Sequence, residues 1–171
     1  MTPALPPGGS GRAVSDRRRL VAVFPLAAAL ASLWPRSARA APLGLAAPDS
    51  LAQELTSALG SGRPLVVMVS LPGCPYCKIV RESHLVPLRR DTGQPVVQID
   101  MGSQVAVRDF QGGLTTHADL VRGWKVKSAP TVLFFGKGGR EAAPRLVGAS
   151  IPDFYGSYLE QRLREAASGL T

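Results

Sequence analysis

Two kinds of apolar pattern alternate along the chain from residue 49 onward. Leu51, Leu55 and Leu59 recur at helical spacing behind Asp49 or Ser50, either of which can cap a helix, with Gln53 completing a capping box with Ser50, and Gly60 and Gly62 close the segment. Leu65–Val69 is instead an unbroken apolar run between Pro64 and Pro72, the mark of a strand buried on both faces. A helix is expected from Cys77 to Leu85, stopping before Pro87, and Val96–Ile99 reads as a second buried strand. Met101 to Leu114, punctuated by Gly102, Gly112 and Gly113, reads as a loop with room for a short extended piece. Thr116 and Asp119 form a second capping box, opening a helix through Trp124. Thr131–Phe135 is a third strand, Gly136–Gly139 a hairpin turn, and Arg145–Val147 its antiparallel partner. Pro152-Asp153 starts a last helix, with Phe154, Tyr158, Leu159 and Leu163 on one face. In the order α-β-α-β-α-β-β-α the first strands alternate with helices, which favours parallel pairing, and the last two form a hairpin. The chain is therefore expected to be an α/β domain with a central mixed β-sheet flanked by helices on both faces.

The first 40 residues follow a different rule. Arg17-Arg18-Arg19 precede an apolar stretch from Leu20 to Trp34, and Ala38-Arg39-Ala40 supplies an A-x-A cleavage site. At about 15 residues the stretch falls short of the roughly 20 that a spanning helix needs, and Pro25 interrupts it. Residues 1–40 are therefore expected to be an export signal peptide cleaved after Ala40, of Sec or twin-arginine type, since Arg17-Arg18-Arg19-Leu20-Val21 satisfies either. Residues 41–48 read as a linker and 49–171 as one domain. The leader also changes the meaning of the charge. The whole chain has 20 basic and 12 acidic residues, a net +8, but outside the leader these become 14 and 11, a net +3. That is an ordinary surface, and a nucleic-acid partner is not expected.

Two cysteines remain, and they are three apart, in Cys74-Pro75-Tyr76-Cys77. A structural disulfide stabilises most when it closes a long loop. A ring this small stabilises little and serves chemistry instead. Cys74 sits where a buried strand gives way to a helix, so the unpaired N–H groups of the first turn favour its thiolate. Pro75 occupies the first helical position, where its missing N–H costs nothing. Cys74 is then the nucleophile, and Cys77, one turn in and more buried, the resolving thiol. The competing reading is a thiolate metal-binding module or metallochaperone, with His84 and His117 completing four ligands, but these histidines are 33 residues apart. Haem attachment requires a histidine straight after the second cysteine, and Lys78 stands there.

With these motifs in place, the chain resembles the thioredoxin superfamily from about Ser50 to Ala166. Three features carry the resemblance in order: the strand leading into Cys74-Pro75-Tyr76-Cys77-Lys78, the segment Val126-Lys127-Ser128-Ala129-Pro130-Thr131, 53 residues on from Cys77 to Pro130, and the turn, strand and helix that close the chain. The resemblance implies a thioredoxin fold in which Pro130 is a cis-proline beside the catalytic sulfur and the Ala129 backbone pairs with substrate. It makes Pro75, Tyr76, Ala129 and Pro130 substrate-binding positions. Two departures stand out: Gly73 replaces the tryptophan that thioredoxins carry before the first cysteine, and Met68 stands where they keep a buried acid. Proton transfer then falls to water, Lys78 or Glu82. The pattern, including Asp109-Phe110 and the glycines before Thr115-Thr116, looks most like periplasmic thioredoxin-like proteins, some of them encoded with sulfur-oxidation enzymes.

The expected activity is a thiol–disulfide oxidoreductase of the periplasm, acting as a reductase, with no cofactor beyond the redox-active Cys74–Cys77 disulfide. Its expected partners are exported protein thiols or disulfides and a membrane electron donor. It is expected to be a monomer that meets the membrane only through its uncleaved leader.

Overall fold

The computed structural model describes residues 44–149 and 152–170. The predicted leader over 1–40, its cleavage point after Ala40 and the start of the 41–48 linker lie outside the described residues. Among the described residues, no helix is long and apolar enough to cross a membrane.

The apolar run at residues 65–70 forms the strand β1 (Leu65–Ser70), buried at every position. It pairs in parallel with β2 (Val96–Asp100) and antiparallel with β5 (Thr131–Gly136), which pairs antiparallel with β6 (Arg140–Val147). The resulting four-stranded mixed sheet runs in the order β2-β1-β5-β6. The run is apolar throughout because both faces are covered. Leu65, Val67 and Val69 share one core with Leu51, Leu55 and Ala58 of α1 (Leu51–Gly60) and with Leu120 and Val121 of α4 (His117–Gly123). Val66 and Met68 join the opposite core, with Cys77, Val80 and Leu85 and with Tyr155 and Leu159 of α5 (Pro152–Ser168). Each such Val or Leu withdrawn from water contributes roughly 1.5–3 kcal/mol, so the sheet centre is the best-anchored part of the fold.

Both predicted caps form. The N–H of Gln53 donates to Ser50 Oγ at 3.3 Å, and the N–H of Asp119 donates to Thr116 Oγ1 at 3.2 Å.

Three expectations need correction. The helix after the cysteines does not stop before Pro87: α2 (Pro75–Ile79) runs into a π-helical stretch, Val80–Leu85, and on through α3 (Val86–Thr92). The Val86 N–H donates to the Arg81 carbonyl, five residues back. Pro87 lies in the first turn of α3, where a proline ring is tolerated, so the widened turn carries the axis past it. Gly93 ends α3 at φ 69°, in the left-handed region, its N–H on the Arg89 carbonyl. Second, the glycine-rich segment is a hairpin, β3 (Ala106–Arg108) against β4 (Leu114–Thr116). Asp109 Oδ1 closes its turn by accepting from the N–H groups of Gln111 and Gly113. Third, β6 starts at Arg140, five residues earlier than the Arg145 expected. It is an edge strand with register shifts opposite Phe134, which is how it accommodates Pro144.

Candidate active site

The antiparallel pairing of β1 and β5 decides where the chemistry can sit. Val69, near the end of β1, faces Thr131, the first residue of β5. The segment leaving β1 and the segment entering β5 therefore meet at one end of the sheet. The first holds Cys74 and the second Ala129-Pro130.

Beyond β1 the chain turns through Leu71-Pro72-Gly73, closed by the Cys74 N–H on the Leu71 carbonyl at 3.2 Å. Gly73 has φ 73° with open space around it. The backbone conformation, not crowding, calls for glycine here, and a tryptophan at this position would be strained. Cys74 is the N-cap of α2, with the Cys77 N–H donating to its Sγ at 3.1 Å. Cys74 and Cys77 form a disulfide, with Cα atoms 5.2 Å apart. Cys74 is half-buried, whereas Cys77 is fully buried in the core beside Met68 and Val80. One sulfur can thus be approached from outside and the other only through the first.

Cys74 Sγ lies 4.0 Å from the Ala129 carbonyl oxygen, and the Ala129–Pro130 peptide is cis. Pro130 is buried and Ala129 half-buried. Pro75 is exposed, Tyr76 is 60% exposed, and Leu71, in the turn before Cys74, and Ile79, at the end of α2, are exposed as well. The structure brings together Cys74, Cys77, Pro75, Tyr76, Ala129 and Pro130. Met68, fully buried, offers no proton acceptor, while Lys78 and Glu82 are both exposed.

The histidines lie elsewhere. His84 stacks at a tilt on Tyr155, ring centroids 4.9 Å apart, and burial holds its pKa below the ordinary value. His117 is 1% exposed; its Nδ1 accepts from the Asp100 N–H at 3.1 Å. Burial lowers its pKa, against a smaller upward pull from Asp100. Among the described residues, no three His, Cys, Asp or Glu side chains gather into a group that could hold a metal ion.

A cavity of about 510 Å³ opens beside Cys74, lined by Ser70, Lys78, Arg81, Glu82, Gln98 and Asp100, together with the turn before the cysteine. Its wall is tied together by side chains. Arg81 Nε donates to Gln98 Oε1 at 3.0 Å, Arg81 Nη2 donates to Ser70 Oγ at 3.3 Å, and Gln98 Nε2 donates to Asp100 Oδ1 at 2.7 Å. The sequence reading missed this group. Gln98 and Asp100 are alternate residues of β2, and that period-two spacing was the available signal, but nothing local placed Arg81 against them.

The model of the Thioredoxin-like domain family matches residues 51–163. Among solved structures, the chain is similar to thioredoxin O2 of Arabidopsis thaliana, with 20% identity, 69% of this chain and 93% of that one covered and a TM-score of 0.47. It is also similar to Trxlp of Edwardsiella tarda, with 25% identity, 67% and 97% coverage and a TM-score of 0.47. A third similar structure is the periplasmic thioredoxin SoxS of Paracoccus pantotrophus, with 20% identity, 60% and 98% coverage and a TM-score of 0.41. No curated protein sequence matches the chain.

Proposed function

The chain belongs to the thioredoxin-like domain family and carries its thiol–disulfide oxidoreductase chemistry, and from that premise we propose an exported reductase of protein disulfides working through Cys74 and Cys77. The observation that carries this reading is the asymmetric pair, a reachable Cys74 and a buried Cys77, set against Ala129 and Pro130. In the reduced protein the Cys74 thiolate attacks one sulfur of a substrate disulfide, forming a mixed disulfide and releasing the other sulfur as a thiolate that takes up a proton. Cys77, deprotonated, then attacks Cys74 Sγ, freeing the second substrate thiol. The substrate gains two electrons and two protons, and the protein is left with the Cys74–Cys77 disulfide. Pro75 and Tyr76 flank the approach, and the Ala129 carbonyl, with Pro130 behind it, offers an acceptor to an extended substrate backbone.

The surroundings of Cys74 support the reducing direction. A strongly oxidising pair needs its reduced form stabilised. Among the described residues, Cys74 Sγ has one N–H donor, from Cys77, and no cationic side chain in hydrogen-bond contact. The leader pattern supports a periplasmic location, and the proposed partners there are exported proteins as substrates and a membrane dithiol donor to restore the protein. The domain is proposed to act as a monomer, with no cofactor beyond its own disulfide and no nucleic acid.

The test is substitution of each cysteine. Cys74→Ala is expected to abolish insulin reduction, and Cys77→Ala to accumulate mixed disulfides with substrate on non-reducing gels. Unchanged turnover in both variants would end the proposal. Equilibration with glutathione tests direction: a potential below about −200 mV fits a reductase, and one near about −120 mV makes the protein an oxidant.

A further inference from the structure

Disulfide exchange between Cys74 and Cys77 leaves one neighbouring group without a role. Arg81 is half-buried in the wall of the cavity beside Cys74. Among the described residues, Arg90, Arg122, Arg145, Arg162 and Arg164 each sit in an ion pair with Asp or Glu. Arg81, like Arg63, Arg89, Arg108 and Arg140, has no carboxylate partner among the described residues, but it alone of these lines the cavity beside Cys74. Its guanidinium is held by two neutral acceptors, Gln98 Oε1 and Ser70 Oγ. The nearest acid of that network, Asp100, is turned to a different task, accepting from the Gln98 amide.

This arrangement has a definite chemical meaning. A guanidinium stays charged at any working pH and has five N–H donors in a planar fork. Two are committed to the wall, which fixes the plane of the group and leaves the other donors for something outside the chain. Ser70 is 1% exposed at the end of β1, and Gln98 lies on the neighbouring β2, so the wall that orients Arg81 is sheet, not loop. The lining carries two cations, Lys78 and Arg81, and two anions, Glu82 and Asp100, so it is not a general sink for negative charge. What it selects is a planar acceptor that matches a fixed fork, and a carboxylate is that group.

The geometry points to this cavity as a substrate subsite for a carboxylate carried a few bonds from the disulfide that Cys74 attacks, with Arg81 the residue that sets the preference. The inference rests on the oxidoreductase reading above and names a substrate class for it: disulfides with an acidic neighbour. The exchange is the same two-electron step, the substrate disulfide becoming two thiols as the Cys74–Cys77 dithiol becomes a disulfide. Arg81 takes no part in bond making and acts by holding the substrate.

The test uses full-length protein, reduced and freed of reductant, against two small disulfides. Dithiodipropionate carries a carboxylate on each arm, and hydroxyethyl disulfide is its uncharged counterpart. Rates with free dithiothreitol give the intrinsic ratio of their reactivities. A hydrogen-bonded charge contributes about 1.5–3 kcal/mol, so the protein is expected to favour the carboxylated disulfide by about tenfold or more beyond that ratio. The preference should shrink as ionic strength rises. In Arg81→Met the ratio should collapse to the dithiothreitol value, and Arg81→Lys should keep part of it. A wild-type ratio equal to that of dithiothreitol overturns the subsite, and so does an Arg81→Met variant that slows both substrates by the same factor. Wild-type protein that reduces insulin but neither small disulfide also overturns the subsite while leaving the oxidoreductase reading standing. Failure on all three substrates brings down that reading itself.

Discussion

Among single residues, His117 ties proton binding to stability. Its Nδ1 accepts the Asp100 N–H, and its buried Nε2 has no hydrogen-bond partner among the described residues, so the folded chain favours the neutral ring. Protonation would put a donor against a donor and a charge in the core. Burial depresses the folded pKa below the ordinary 6.5, and His84 is shifted the same way. The unfolded chain therefore takes up protons near pH 6.5 before the folded one does. Stability from this source is fully present above that pH and is lost as the pH falls toward the lower folded value. The urea midpoint is expected to drop on acidification below about pH 6.5. His117→Asn, whose side-chain oxygen can still accept from Asp100, should flatten that drop; an equally steep profile in the variant would assign it elsewhere. At this scale the reactive residues were legible. Cys74 and Cys77 are marked by their spacing and by the strand before them, and Pro130 by the resemblance to the thioredoxin superfamily. Arg81 and His117 were not, because their roles come from partners distant in sequence: Ser70, Gln98 and Asp100.

Elements show the same division between local and tertiary signals. Thr116 is both the last residue of β4 and the N-cap of α4, a helix of only seven residues. A helix that short depends heavily on its first hydrogen bond. Thr116→Ala is expected to cost about 1 kcal/mol, read as a lower denaturant midpoint, whereas Thr116→Ser should cost much less. No change in the alanine variant would show that packing of Leu120 and Val121 alone holds α4. Caps are written locally and could be read. The β3–β4 hairpin could not, since three-residue strands are too short to display a period of two. The helix past Pro87 was hidden for a different reason. Proline is read as a breaker, and only the wider π turn between Val80 and Leu85 makes room for it.

For the molecule as a whole, the parallel β1–β2 pair was legible from the helix joining the strands, while the antiparallel entry of β5 was not. Nothing in Thr131–Phe135 itself states its direction; the connection after α4 and the pairing with β1 set it. The leader carries a prediction of its own. In a bacterial host the exported form is expected to begin at Ala41, shedding the basic n-region and lowering the net charge from +8 to +3. Intact-mass measurement on periplasmic extract checks this, and a product that still begins at Met1 would sink the cleavage reading.

The register pair Val69–Thr131 has one further consequence, which concerns timing. It joins residues 62 positions apart, and contacts that distant form late because the intervening chain must first be closed. Until it forms, Cys74 and Cys77 are an ordinary pair of thiols with no Ala129 beside them and no buried seat for the second sulfur. A chain that reached an oxidising compartment unfolded would arrive as a client for disulfide exchange and become a practitioner only when its sheet closed. A chain exported already folded would skip that apprenticeship.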